Sequence, residues 1–157
     1  MSVINFGQSV TLQEFAKAIG TVGKEVTIIG QGEPGIGKSS MLKVLSTTYP
    51  DYEVAYIDCT LLDLGDFALP FTEQAGDMRV TKFAPNARFK MHAGKPVIVM
   101  LDEIGKVTNK GVMNACLRLI LERKLGTYSL PQGSYLFATT NLASEGIGDN
   151  LPPHARN

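Results

Sequence analysis

The feature that most constrains this chain is a glycine-rich octapeptide between an apolar segment and an amphipathic one. It consists of Gly32, Glu33, Pro34, Gly35, Ile36, Gly37, Lys38 and Ser39. The octapeptide matches the pattern GxxxxGK[ST] at every fixed position. Glycines let a backbone wrap closely around a polyphosphate, and the start of a following helix favours the anion. The pattern therefore predicts a strand, a phosphate-binding loop and a helix, in that order.

Each polar side chain at the end of this loop has an expected role. We expect Lys38 to reach the β- and γ-phosphates and the Ser39 hydroxyl to ligate Mg²⁺. Ser40 would lie near the α-phosphate. A glycine-rich turn without a ligand is the alternative interpretation, and the complete match between a strand and a helix argues against it.

Two further polar positions follow apolar strands. Residues 97–101 (VIVML) are followed by Asp102 and Glu103. Asp102 is expected to hold Mg²⁺ through water, and Glu103 to polarise the attacking water. Asn141 ends another apolar run and is expected to position that water, although asparagine is also a common turn or cap residue. Solvated acids at a strand end are the corresponding alternative for the carboxylates.

The remaining pattern predicts strands that alternate with helices. Helices are expected over residues 11–19, 38–48 and 112–123, and strands over residues 25–30, 54–59, 97–101 and 134–139. Thr11 and Glu14 form a capping box, and Gly20 is expected to end the first helix. Residues 128–130 are expected to pair with 134–139 as a hairpin, whereas residues 61–93 give only weak helical signals. The alternation predicts an α/β fold with a largely parallel sheet, whose ligands bind at the carboxyl ends of the strands.

Composition excludes several classes of protein. Fifteen basic and fifteen acidic residues cancel, so no overall positive field favours nucleic acid, although a local basic patch remains open. No apolar run could span a bilayer and no secretory signal is visible, so we expect a soluble cytoplasmic domain with no membrane partner. Cys59 and Cys116 lack metal-site spacing and are expected to be buried free thiols. Arg118 and Arg123 are expected on a solvated helix face or against a neighbouring subunit.

With these motifs in order, the sequence resembles the AAA+ superfamily and, within it, the MoxR-like and dynein-related branch. The resemblance rests on GEPGIGKS, VIVMLDE, ATTN, NACLRLILERKL (residues 114–125) and YSLPQGSYLFATTN (residues 128–141). It implies a P-loop NTPase three-layer sandwich of strand order 5-1-4-3-2, with Asn141 as sensor 1. It also implies ATP and Mg²⁺ as ligands, assembly into rings that are usually hexamers, and a protein substrate or adaptor as partner.

The last residues resemble the segment that carries the arginine finger in this branch. They read LPPHARN (residues 151–157), and Arg156 is the candidate finger, although the preferred register places the finger one position beyond Asn157. A solvated arginine is the alternative. The resemblance thus makes residues 1–157 a nucleotide-binding core domain incomplete at its C-terminus, without the fifth strand or the lid. We expect such a chain alone to be a weak ATPase.

Three functions remain open at this point. The first is an ATP-hydrolysing motor module that remodels a protein or a protein assembly. The second is a nucleotide-dependent interaction module with little turnover. The third is a DNA-directed motor of the helicase-loader or restriction type, which the neutral overall charge disfavours without excluding it.

Overall fold

The chain contains both helices and strands, and two antiparallel hairpins interrupt the expected alternation. The computed structural model describes residues 9–33 and 35–141. Within that part, the longer elements are α1 (Leu12–Val22), β1 (Ile28–Gln31), α2 (Ser40–Thr48), β2 (Glu53–Asp58), β3 (Ala68–Ala75), β4 (Met78–Pro85), β5 (Val97–Asp102), α3 (Lys110–Glu122), β6 (Lys124–Leu125), β7 (Tyr128–Ser129) and β8 (Tyr135–Thr140). Short 3-10 helices occupy Cys59–Leu61, Leu64–Asp66, Ala87–Phe89, Met91–Ala93 and Ile104–Lys106.

The central sheet has four parallel strands in the order β1-β8-β5-β2. In order along the chain these are the first, fourth, third and second core strands. The observed order is therefore the expected 5-1-4-3-2 order over the strands that the described residues supply. Because all four strands run the same way, their carboxyl ends lie at one edge of the sheet, and the predicted polar residues meet there.

Helices cover both faces of this sheet, which makes a three-layer sandwich and confirms the predicted fold class. The central strand β5 shows why: all its apolar side chains are fully buried, and they alternate between two clusters. Val97, Val99 and Leu101 pack in the cluster that includes α3. Ile98 and Met100 pack in the cluster that includes α1 and α2. A strand buried on both faces reads as a continuous apolar run, as this one does.

The first helix begins as predicted and ends later than predicted. Thr11 Oγ1 accepts from the Glu14 amide at 3.2 Å, and the Thr11 amide donates to Glu14 Oε2 at 2.8 Å, so the capping box is confirmed. The expected stop at Gly20 is wrong, because the helix continues to Val22. Its end is capped by the amide of Gly23, which donates to the carbonyl of Ile19 at 2.8 Å. An internal glycine costs a helix only about 1 kcal/mol, which packing can offset.

The predicted hairpin between residues 128–130 and 134–139 is wrong. Strand β7 instead pairs antiparallel with β6, with Leu125 opposite Tyr128. The other expected arm, β8, lies between β1 and β5 and is hydrogen-bonded to both of them. With both of its edges occupied, β8 has no free edge to offer β7.

Residues 61–93 contain a hairpin, although their sequence has only weak helical signals. Strands β3 and β4 pair antiparallel over their whole length, from Ala68 opposite Pro85 to Ala75 opposite Met78. Most of the hairpin is exposed on both faces. A strand without a buried face needs no alternation of apolar and polar residues, so the pattern that identifies strands is missing here.

The two cysteines are buried free thiols, as predicted. A hydrogen bond with Cys116 and burial raise the pKa of the Cys59 thiol above its ordinary value, so it stays protonated. Across the described ranges, no helix combines the length and the apolar character needed to cross a bilayer.

Arg123 is half-buried and hydrogen-bonded within the fold, contrary to the expectation of a solvated helix face. It caps the end of α3 in the left-handed conformation. Its guanidinium donates to the carbonyl of Ser134 and, at 3.3 Å, to the carbonyl of Gly23. Burial lowers the pKa of this guanidinium. Arg123 therefore joins the end of α3 to the segment before β8 and to the end of α1.

We predict that Arg123→Met lowers the free energy of unfolding by about 1–3 kcal/mol, because the partly buried carbonyl of Ser134 loses its guanidinium donor and that of Gly23 keeps only the amide of Leu136. Arg118→Met is the matched control on the same helix. Arg118 is exposed and forms an ion pair with Glu122 at 3.0 Å, so its loss should change stability by about 0.5 kcal/mol or less. Urea denaturation measures both variants, and equal losses would contradict the structural role of Arg123.

Candidate functional site

The glycine-rich loop connects the end of β1 to the start of α2, as its sequence predicts. Gly35 and Gly37 have φ angles of 79° and 90°, a region that side chains with a Cβ rarely adopt. The amide of Gly32 donates to the carbonyl of Thr140 at 3.2 Å, which ties the loop to the end of β8. Ile36 is exposed on the loop. The loop therefore has the backbone form that close approach to an anion requires.

Lys38 turns its ammonium group into this loop and is only 8% exposed. Its Nζ donates to the carbonyls of Gly32 at 2.6 Å and Glu33 at 3.1 Å, and to Asn141 Oδ1 at 2.8 Å. These three acceptors match the three N–H donors of an ammonium group. The structure thus brings the predicted loop lysine and the predicted asparagine of the fourth core strand into direct contact.

The Asp102 carboxylate lies at the carboxyl end of β5 and is nearly buried. Its Oδ2 accepts from Ser39 Oγ at 3.1 Å and from the Tyr56 hydroxyl at 2.8 Å. Its Oδ1 accepts from the Thr139 hydroxyl and, at 3.1 Å, from the amide of Glu103. Four donors therefore hold a single carboxylate and compensate for its removal from water.

Glu103 occupies a strained position directly after this carboxylate. Its φ of 55° places it in the left-handed region, where non-glycine residues are uncommon and concentrate at functional sites. Its Oε1 lies 3.3 Å from Lys106 Nζ. Its Oε2 is buried and has no hydrogen-bond partner among the described residues. A buried acceptor without a donor is uncommon in folded proteins and is free to bind a water molecule.

The Asn141 side chain is oriented by a hydrogen bond to Oδ1, while its Nδ2 has no hydrogen-bond partner among the described residues. Its Oδ1 accepts from Lys38, and its backbone carbonyl accepts from Gln31 Nε2 at 3.2 Å. Its Nδ2 is buried and lacks an acceptor within the part of the chain that the structure describes. Since Oδ1 is fixed by a cation, Nδ2 is left as a donor for an anion or a water.

Two oxygen atoms at the carboxyl edge of the sheet are suitable for holding Mg²⁺. Ser39 Oγ and Asp102 Oδ2 lie 3.1 Å apart, and magnesium prefers such oxygen ligands while keeping several waters. The described residues contain no group of three or more histidine, cysteine or acidic side chains that could hold a metal. A site of one hydroxyl and one carboxylate completed by substrate phosphates is typical of nucleotide-bound magnesium.

Tyr56 and Thr139 also belong to the site, and the sequence predicts a role for neither. Tyr56 falls in no motif, and Thr139 lies in ATTN (residues 138–141), where only Asn141 has an expected role. Ala138 pairs with Leu101, so the next residue on each strand, Thr139 and Asp102, are also neighbours. The Tyr56 hydroxyl is polarised by Asp102, and burial together with this hydrogen bond raises its pKa to about 12. The phenol is therefore a donor throughout the physiological pH range.

Three predicted residues need separate mention. Ser40 is exposed in the first turn of α2, close to the loop. Pro34 and Arg156 lie outside the described residues.

A family described as "ATPase family associated with various cellular activities (AAA)" matches residues 28–152. No curated protein matches the chain. Similar solved structures include NtrX from Brucella abortus, at 16% identity and a TM-score of 0.51 over 89% of this chain. NtrX in complex with ADP is 14% identical, with a TM-score of 0.53 over 93% of this chain. NtrX in complex with ATP is 14% identical, with a TM-score of 0.52 over 94% of this chain. The chain spans 32% of each of these structures, and at such identities the likeness shows the fold alone.

We predict that Thr139→Val lowers the free energy of unfolding by about 1–3 kcal/mol, because it removes a donor from a nearly buried carboxylate while keeping the side-chain volume. Thr140→Val is the control, since Thr140 is also buried and has no recorded side-chain hydrogen bond within residues 9–33 and 35–141. Chemical denaturation compares the two variants. If Thr139→Val lowers the free energy of unfolding no more than Thr140→Val does, the Thr139–Asp102 hydrogen bond does not contribute the expected stability.

Proposed function

Since the chain belongs to the AAA family of ATPases, we propose that it binds ATP with Mg²⁺ at the glycine-rich loop and hydrolyses it. One observation carries the proposal: two contacts join the loop to the ends of the neighbouring strands. Lys38 contacts Asn141 of the fourth core strand at 2.8 Å, and Ser39 contacts Asp102 of the third at 3.1 Å. The groups that we assign to phosphoryl transfer therefore lie at one sheet edge, which supports the proposal.

Lys38 would bind the phosphates of ATP. Its present acceptors are two carbonyl oxygens and one amide oxygen, all of them neutral. Phosphate oxygens carry negative charge, so they attract an ammonium group more strongly than neutral oxygens do. Lys38 is therefore expected to exchange these acceptors for the β- and γ-phosphates with a net gain. The loop amides and the start of α2 favour the same anion.

Ser39 and Asp102 are the residues that would hold Mg²⁺. When bound, this cation neutralises charge that develops on the β- and γ-phosphate oxygens. Thr139 and the amide of Glu103 already fix the orientation of the Asp102 carboxylate. A carboxylate held in advance loses little freedom when it takes up its ligand.

Glu103 and Asn141 would serve the attacking water. The Glu103 carboxylate accepts the proton as the water oxygen bonds to the γ-phosphorus and the bond to the bridging oxygen of ADP breaks. Oε2 of Glu103 has no other partner in the described structure, which supports this role. The free Nδ2 of Asn141 is the donor that would orient the water or the γ-phosphate.

At the level of the whole protein, we propose a motor module of the MoxR-like and dynein-related branch that works as a ring, usually a hexamer. Its partner would be a protein substrate or adaptor that hydrolysis remodels. The support is the family match together with the sequence of residues 114–125, which forms most of α3 and all of β6. A cytoplasmic location fits this function, because its substrate ATP is abundant there.

A nucleotide-dependent interaction module with little turnover is the second candidate, and one observation favours it. Lys106 Nζ lies 3.3 Å from Glu103 Oε1. This ion pair occupies one of the two oxygens of the carboxylate that is proposed to take a proton from water. An ATPase in this state would bind nucleotide before its base became available.

We predict that Glu103→Gln preserves ATP affinity within a few fold and lowers turnover by about 10²–10⁴-fold, because the side chain keeps its shape and loses its basicity. Glu122→Gln, an exposed carboxylate on α3, is the control and should change neither quantity. Fluorescent-nucleotide binding and phosphate release measure the two effects separately. Equal rates in wild type and Glu103→Gln contradict the role of Glu103. Tight binding without turnover in the wild type favours the second candidate.

A further inference from the structure

Tyr56 contacts the proposed metal site although it lies outside every motif of the sequence. Its ring is half exposed on β2, and its hydroxyl donates to Asp102 Oδ2 at 2.8 Å. The same oxygen accepts from Ser39 Oγ at 3.1 Å. Oδ2 thus has two donors, Ser39 and Tyr56, and Tyr56 is the one that does not belong to the pair of residues that would hold Mg²⁺.

The strand register explains why a tyrosine can fill this place. Tyr56 lies opposite Met100, and Asp58 lies opposite Asp102. Residues two apart on a strand share a face, so Tyr56 lies on the same side of the sheet as Asp102 but one step earlier. A phenol is long enough to cover that step, and its hydroxyl reaches the carboxylate.

Asp58, the residue directly opposite Asp102, does not compete for the position. Its Oδ1 accepts from the amide of Thr60 at 2.9 Å and from the Thr60 hydroxyl at 2.6 Å. This side chain therefore caps the 3-10 helix Cys59–Leu61. Strand β2 therefore supplies its hydrogen bond to Asp102 from Tyr56 and not from Asp58.

We propose that Tyr56 is a positioning residue, which holds Asp102 Oδ2 in the orientation that binds the Mg²⁺ of the nucleotide. This inference rests on the proposed ATP site. Thr139 and the Glu103 amide fix Oδ1, so a donor on Oδ2 completes the restraint of the carboxylate. Ser39 also donates to Oδ2, and Tyr56 adds a second donor that is not itself a proposed metal ligand. Partners that orient metal ligands are commonly worth 10–100-fold in metal affinity.

Tyr56 is expected to affect the binding of Mg²⁺ and not the binding of ATP itself. The phosphates are expected to bind the loop amides and Lys38, and no contact links Tyr56 to Lys38 or to the loop glycines among the recorded hydrogen bonds. Removing the hydroxyl should therefore weaken Mg²⁺ binding and leave metal-free ATP binding nearly unchanged. A purely structural role for Tyr56 would weaken both together or neither.

The test compares Tyr56→Phe with Tyr128→Phe in the whole chain. Tyr128 is exposed to a similar extent and lies on β7, away from the site, so its variant controls for loss of a phenol hydroxyl. Calorimetry measures ATP affinity in EDTA, and titration of Mg²⁺ into ATP-saturated protein gives its half-saturation. Thermal unfolding without ligand shows that both variants are folded.

We expect Tyr56→Phe to keep the EDTA affinity within about twofold and to raise the Mg²⁺ half-saturation by about 10–100-fold, with no change for Tyr128→Phe. An unchanged Mg²⁺ half-saturation in Tyr56→Phe overturns the inference but leaves the ATP site intact. A parallel loss of ATP affinity in EDTA also overturns it, because the role would then be structural. Failure of the wild type to bind ATP under either condition overturns the proposed function, and the inference with it.

If Tyr56→Phe is unfolded, Tyr56→Leu and Tyr56→Gln are measured in the same way. Gln retains a donor, so a smaller loss of Mg²⁺ binding in Gln than in Leu supports the role, and an equal result opposes it.

Discussion

The Asp102 carboxylate is the charge around which this edge of the sheet is organised. A nearly buried carboxylate is unfavourable unless donors compensate for its lost water. The four donors come from the start of α2, from β2, from β8 and from the amide that follows Asp102. Lys38 adds a second set of contacts between the loop and Asn141. The hydrogen bonds of the site and the packing of the strand ends therefore stabilise each other. A substitution in the site should also change the stability of the fold.

The parallel sheet makes this convergence possible. The strands β1, β8 and β5 run in the same direction, so the loop after β1 and the residues that end β8 and β5 meet at one edge. Burial of β5 on both faces fixes its register and thereby the position of Asp102. The strained backbone of Glu103 comes directly after this strand, where the surrounding structure can support it.

The parts of the fold that sequence predicts are those with a strong local signal. The four core strands follow from apolar runs and from the glycine-rich loop, their order follows from the family resemblance, and the start of α1 follows from Thr11 and Glu14. The β3–β4 hairpin has no buried face and hence no periodic pattern to detect. Tyr56 was missed for a different reason: its contact with Asp102 depends on strand register, which is a property of two segments together. Arg123 was misplaced because a charged residue at a helix end is usually solvated, whereas this one finds two carbonyls.

The central claim is that the loop binds the phosphates of ATP through Lys38, and a stability measurement tests it most directly. Mg-ATP at a hundredfold excess over its dissociation constant should add about 2.7 kcal/mol to the free energy of unfolding of the wild type. Lys38→Ala should lose most of this gain, whereas Lys43→Ala, an exposed lysine on α2, should retain it. An equal gain in the Lys38 variant, or no gain in the wild type, would contradict the account.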